Sequence, residues 1–170
     1  MIAVTLDRPW LEARLPQRMR VFSHAPHGAG FRSTDKVLWR EVKNADLTPD
    51  FPVERWFAVE MAARAPEAVG MLTSRDVGTW AEARAEVEGV AAHAVATLGL
   101  SNAEAVGQRL PWHSADYGTI NLLVATDAAL TRTAQIEALT IAVEARTAGL
   151  LDAGLPLATG MATGTGTDCV

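Results

Sequence analysis

The chain has 170 residues, 49% of them apolar and 21% charged, a balance that suits one folded domain and excludes disorder, collagen-like repeats and long coiled coils. Fifteen basic residues against twenty acidic ones give a net charge of −5, which excludes a broad cationic surface and so argues against nucleic acid or anionic lipid as partners. No apolar run reaches the roughly 18 residues of a membrane-spanning helix, Asp7 and Arg8 cut the first run short of a secretory signal, and the single cysteine, Cys169, fits a reducing cytoplasm.

In chain order, Ile2 to Leu6 and Met19 to Phe22 read as two strands joined by a polar connection holding Pro9 and Pro16. Ser23 to Gly30 breaks regular structure, and alternation over Lys36 to Val42 predicts a third strand. From Val53 the spacing of Trp56, Val59 and Ala63 predicts a helix that ends by Pro66. Val69 to Thr73 and Gly89 to Leu98 read as strands, with Thr79 to Glu86 between them as a helical turn or a hairpin arm. Thr119 to Thr126 alternates cleanly as a strand, and the longest helix is expected over about 131–152, stopped by Gly154. The fold class that results is α/β or α+β, a single domain with a mixed sheet packed against helices.

Four blocks occur in order: Thr97-Leu98-Gly99-Leu100-Ser101-Asn102-Ala103, Gly118-Thr119-Ile120-Asn121-Leu122, Glu144-Ala145-Arg146-Thr147-Ala148, and Ala162-Thr163-Gly164-Thr165-Gly166-Thr167-Asp168. Together they resemble the adenosylcobinamide amidohydrolase family of cobamide salvage. The resemblance implies hydrolysis of the amide joining the corrin's propionyl side chain to aminopropanol, with release of adenosylated cobyric acid. The corrinoid is then bound as substrate, with no cofactor, and no D-x-H-x-x-G segment of a cobalt-ligating carrier occurs. Family members run on past the Thr-Gly-Thr-Asp motif, so residues 1–170 are expected to be one domain lacking its C-terminal segment. Two other classes stay open: a non-catalytic corrinoid-binding module, and an unrelated amidase that cleaves itself beside a Thr or Cys. A homo-oligomer is compatible with either.

Amide hydrolysis needs an activated nucleophile, donors for the tetrahedral oxyanion and an acid for the leaving amine. Alternating Gly and Thr makes a poor strand unless backbone must approach something closely, so Thr163, Gly164, Thr165, Gly166 and Thr167 are candidate substrate-binding residues, or a tight turn. Asp168 is a candidate base, or an ordinary turn carboxylate. Glu144, beside Val143 and in line with Ile141 and Ala148, is expected at the border of a buried face, as a general acid or base or in an ion pair with Arg146 or Arg132. Asn102 stands at a strand end where it reaches a ligand or caps a helix ahead of Glu104. Asn121 interrupts an apolar strand and either holds the neighbouring loop or contacts substrate. If both segments serve one reaction, the Gly/Thr loop and Asn102 converge on one cleft. His24-x-x-His27 is a weak metal signature and no metal is expected. His93 reads as a core histidine, and His113 beside Trp112 as a residue to stack on a planar ligand. Neither G-x-S-x-G nor H-E-x-x-H occurs.

Overall fold

The computed structural model describes residues 1–108, 111 and 117–170; Trp112 and His113 lie outside them. Four strands, β1 (Ala3–Asp7), β2 (Trp10–Ser23), β3 (Gly30–Glu41) and β4 (Val69–Thr73), form one sheet in that order. β1 to β3 are antiparallel, and β4 joins β3 in parallel after the crossover helix α1 (Val53–Arg64). A second, antiparallel sheet has the order β5 (Ala81–Val87), β6 (Val90–Leu98), β8 (Ile120–Thr126). Between its last two strands runs the short β7 (Ala103–Glu104), and after β8 come α2 (Arg132–Ala153), β9 (Pro156–Leu157), β10 (Gly160–Met161) and β11 (Gly164–Thr165). This is an α+β domain with a mixed sheet, the class expected from the sequence.

Several boundaries differ from the sequence reading for identifiable reasons. The connection expected around Pro16 is strand: the β2–β3 register shifts between Arg14 and Met19, so the proline's missing N–H falls where no ladder bond is required. β3 begins at Gly30 rather than Lys36, because Gly28 and Gly30 take φ of 80° and 81° and fold the chain straight back, stacking Phe31 on Phe22. Residues 81–87 form a hairpin arm, preceded by a 3-10 turn at Val77–Thr79.

In α1 the buried residues are Phe57 and Met61, whereas Val59 is 63% exposed. The helix therefore presents a different face from the one expected. It fits onto β4 at Gly70, where a Cβ would lie 2.7 Å from the Met61 sulfur. Beside it Arg40 stacks between Trp10 and Trp56 and pairs with Glu60 at 2.9 Å.

The principal core joins Leu11, Val37, Trp39, Val69 and Met71 of the first sheet to Val95, Leu123 and Ala125 of the second. Polar side chains are buried too, His93 and Asn121 among them. His93, a core histidine as the sequence suggests, accepts the Ile2 N–H on Nδ1 at 3.1 Å and meets Glu82 through Nε2 at 2.9 Å. Asn121 is fully buried on β8 and donates from Nδ2 to the Leu72 carbonyl of β4 at 2.6 Å, a direct bond between the two sheets. Among the described residues its Oδ1 has no partner.

α2 starts at Thr131, whose hydroxyl accepts the Ala134 N–H, and stops at Gly154 with φ of 68°. Only Ala142 and Leu150 are fully buried along it, and Ile136 and Ile141 remain exposed. Asn121→Ala is expected to lower the unfolding free energy by about 1–3 kcal/mol, because it strands the Leu72 carbonyl. Equilibrium denaturation in urea measures this.

Candidate active site

Gly99 to Asn102 passes tightly against residue 118, where a Cβ would lie 2.7 Å from Asn102 Oδ1 and 2.9 Å from the Gly99 carbonyl. Only glycine permits that approach. The chain then enters β7, which pairs antiparallel with β11, setting Ala103 opposite Thr165 and Glu104 opposite Gly164. Thr163 extends the join: its N–H donates to the Glu104 carbonyl at 2.9 Å, and its hydroxyl accepts the Val106 N–H at 2.8 Å. Thr147 of α2 donates to the Thr163 carbonyl at 3.2 Å. Two segments about sixty residues apart thus meet through Ala103 and Glu104.

Between this join and α2 lies a cleft of about 520 Å³, bordered by Glu104, Val106, Gln108, Arg146, Thr163 and Thr165. Two of these residues, Arg146 and Thr165, are held by Asp168. One oxygen of that carboxylate accepts the Ile120 N–H at 2.8 Å and the Thr165 hydroxyl; the other accepts the Thr165 N–H at 2.9 Å and pairs with an Arg146 terminal nitrogen at 3.1 Å. The side chains of Asp168 and Arg146 are only 5% and 15% exposed. A Cβ on Gly164 would come within 2.7 Å of the Asp168 carboxylate and 3.3 Å of the guanidinium, so the glycine makes room for the pair. Arg146 Nε is buried without a partner among the described residues.

The other residues singled out in the sequence fall in several places. Glu144 is exposed, outside the cleft lining, and has no ion pair among the described residues; the expected border position is corrected, since α2 turns Val143, Arg146 and Thr147 inward and leaves Glu144 on its outer side. Asn102 Oδ1 is buried against Gly118 rather than lining the cleft. Thr167 donates to the Gly118 carbonyl at 3.0 Å and accepts the Thr119 hydroxyl on its own carbonyl at 2.7 Å. Gly166 is exposed beside it. His24 and His27 turn to different backbone carbonyls, those of Asp168 and Pro66.

Two cleft residues escape a reading by motif. Glu104 directly follows the Asn102-Ala103 block, where it looks like a first-turn acid until β7 appears in place of a helix. Arg146 looks like a surface partner for Glu144, and only the inward turn of α2 gives it to Asp168.

A buried, charge-paired arginine thus stands at the wall of a cleft whose backbone turns are packed too closely for side chains. The family model described as adenosylcobinamide amidohydrolase matches residues 2–170, and the chain belongs to that family. No curated protein and no solved structure matches it. Its activity is accordingly hydrolysis of a carbon–nitrogen amide bond, its substrate is a corrinoid, and its place is in cobamide salvage. Among the described residues no helix is long and apolar enough to cross a membrane.

Cys169 bonds to β8 through its backbone, N–H to Ile120 and carbonyl to Leu122 at 2.9 Å each. Burial, reinforced by the charge of Asp168, pushes its thiol up to about 11, so at pH 8 only ~0.1% is thiolate. Iodoacetamide at pH 8 is expected to leave the native protein unmodified and to alkylate Cys169 after unfolding in guanidinium, read by intact mass. Asp168→Asn is expected to cost about 3 kcal/mol of stability by leaving Arg146 without its counter-charge, measured by denaturant titration.

Proposed function

We propose that the aminopropanol amide is cleaved in the cleft between β7, β11 and α2, with Arg146 holding the developing oxyanion and Glu104 moving the protons. The observation that carries this is the Arg146–Asp168 pair. A guanidinium already oriented by a buried carboxylate, and bordering a cleft, needs no reorganisation when negative charge grows on a bound carbonyl oxygen. Asp168, whose oxygens are already taken up by Ile120, Thr165 and Arg146, serves in this reading as the positioning group for Arg146.

Glu104 is the carboxylate in the described lining of the cleft. Taking a proton from water, it frees the oxygen to attack the amide carbon; the tetrahedral species collapses by breaking the carbon–nitrogen bond, and the same proton passes to the leaving amine. The products are the corrin carboxylate and aminopropanol, with no ATP and no cofactor. A cleft of about 520 Å³ suits one side arm of the corrin, not the macrocycle, so the ring lies across the lip, where Val106 is 84% exposed. Thr163 to Thr165 and Glu104 to Val106 supply rigid walls. The same reading places the protein in the cytoplasm, where its lone thiol stays reduced.

Incubation of the protein with adenosylcobinamide, with chromatographic detection of aminopropanol and adenosylated cobyric acid, tests the reading. Release without ATP supports it; no release from folded protein overturns it. Glu104→Gln is expected to lower kcat by about 10²–10⁴-fold and Arg146→Met by about 10²–10³-fold. Glu144→Gln is expected to stay within about twofold of wild type, as a surface substitution does; a large loss there would return the acid–base role to α2's outer side.

A further inference from the structure

A second cavity, of about 420 Å³, opens between β2, β8 and the first half of α2. Its walls are apolar, with Met19, Val21, Met71, Leu123 and Leu139 among them, and the helix crosses it on the small residues Ala138 and Ala142. The rim is polar: Arg20 donates to Gln135 Oε1 and to the Leu130 carbonyl at 2.6 Å, and Gln135 Nε2 donates back to the Arg20 carbonyl at 2.9 Å. This brace fixes the start of α2 to β2 and holds the mouth in shape.

The cavity adjoins the cleft. Ala142 at its end and Arg146 at the cleft are one helical turn apart, about 6 Å along the axis. Val170 lines the one and Thr165 the other, with Asp168 between them in the chain. We infer that this cavity is the subsite for the 5′-deoxyadenosyl group of the corrinoid, an inference that rests on the proposed cleavage in the neighbouring cleft. The substrate named by the family carries three parts of different chemistry: a small polar arm, a macrocycle too large for either cavity, and one nucleoside. A flat purine is the part whose faces suit apolar walls and whose ribose and ring edges suit a polar rim. The volume of about 420 Å³ admits it. Occupancy by the nucleoside fixes the corrin at a second point, which favours the adenosylated substrate and orients the scissile arm.

Two measurements on the full chain test the subsite: ligand-observed NMR with 5′-deoxyadenosine, and hydrolysis of adenosylcobinamide compared with dicyanocobinamide. Wild type is expected to bind 5′-deoxyadenosine and to be inhibited by it competitively. Ala138→Phe on α2 and Val124→Trp on β8, two independent ways to fill the cavity, are each expected to lower kcat/KM for adenosylcobinamide by about tenfold to a hundredfold and to narrow the preference over dicyanocobinamide, with circular dichroism unchanged. Cleavage of corrinoid without nucleoside binding, or equal losses on both corrinoids, overturns the subsite and marks the cavity as a packing gap. Nucleoside binding without cleavage of either corrinoid overturns the proposed cleft chemistry and leaves the nucleoside site standing.

Discussion

Asp168 accepts hydrogen bonds from β8, from β11 and from α2 at the same time. Removing a carboxylate from water is costly unless its lone pairs are filled, and here backbone N–H groups, a hydroxyl and a guanidinium fill them. Each partner is thereby fixed relative to the others. The β7–β11 join, the inward turn of Arg146 and the room left by Gly164 all follow from satisfying that one group. The cleft is the space that remains beside it.

A second polar constraint acts beside the first. Asn121 ties β8 to β4, and the backbone of Cys169 lies along the outer edge of β8 from Ile120 to Leu122. β8 is therefore held to the other sheet by a side chain and to the chain's last residues by backbone. Helix α2, by contrast, buries little of its own surface. It is pinned at Arg20–Gln135 and at Arg146–Asp168, and between these pins it bridges two cavities instead of sealing a core. Shallow packing of that helix is what leaves the protein two adjoining spaces rather than one dense interface.

Much of this was legible from sequence where a local rule acts alone. Thr131 and Gly154 bound α2 because capping chemistry is local, alternation located β8, and a lone histidine on an apolar strand proved to be a satisfied core residue. The four spaced blocks carried the family and hence the chemistry. What was not legible depends on partners distant in the chain. Helical period tells which residues share a face, not which face is buried, so Val59 and Glu144 were set on the wrong sides while Phe57 and Arg146 took the inside. Pro16 looked like part of a connection because the irregular register opposite it belongs to β3. Glu104 gained its place only when β7 paired with a strand sixty residues later.

The hairpin arm β5 is exposed along its whole length and, among the described residues, forms the free edge of the second sheet. Such an edge offers unpaired backbone groups to any other strand. Here it carries Glu82, Arg84 and Glu86, with Glu82 drawn in toward His93 and Arg84 lying 3.8 Å from Glu82. A strand from a second molecule docking there must bring its own side chains against this alternating row of charge and strip its water. The row thus disfavours edge-to-edge pairing of the sheet that carries β8.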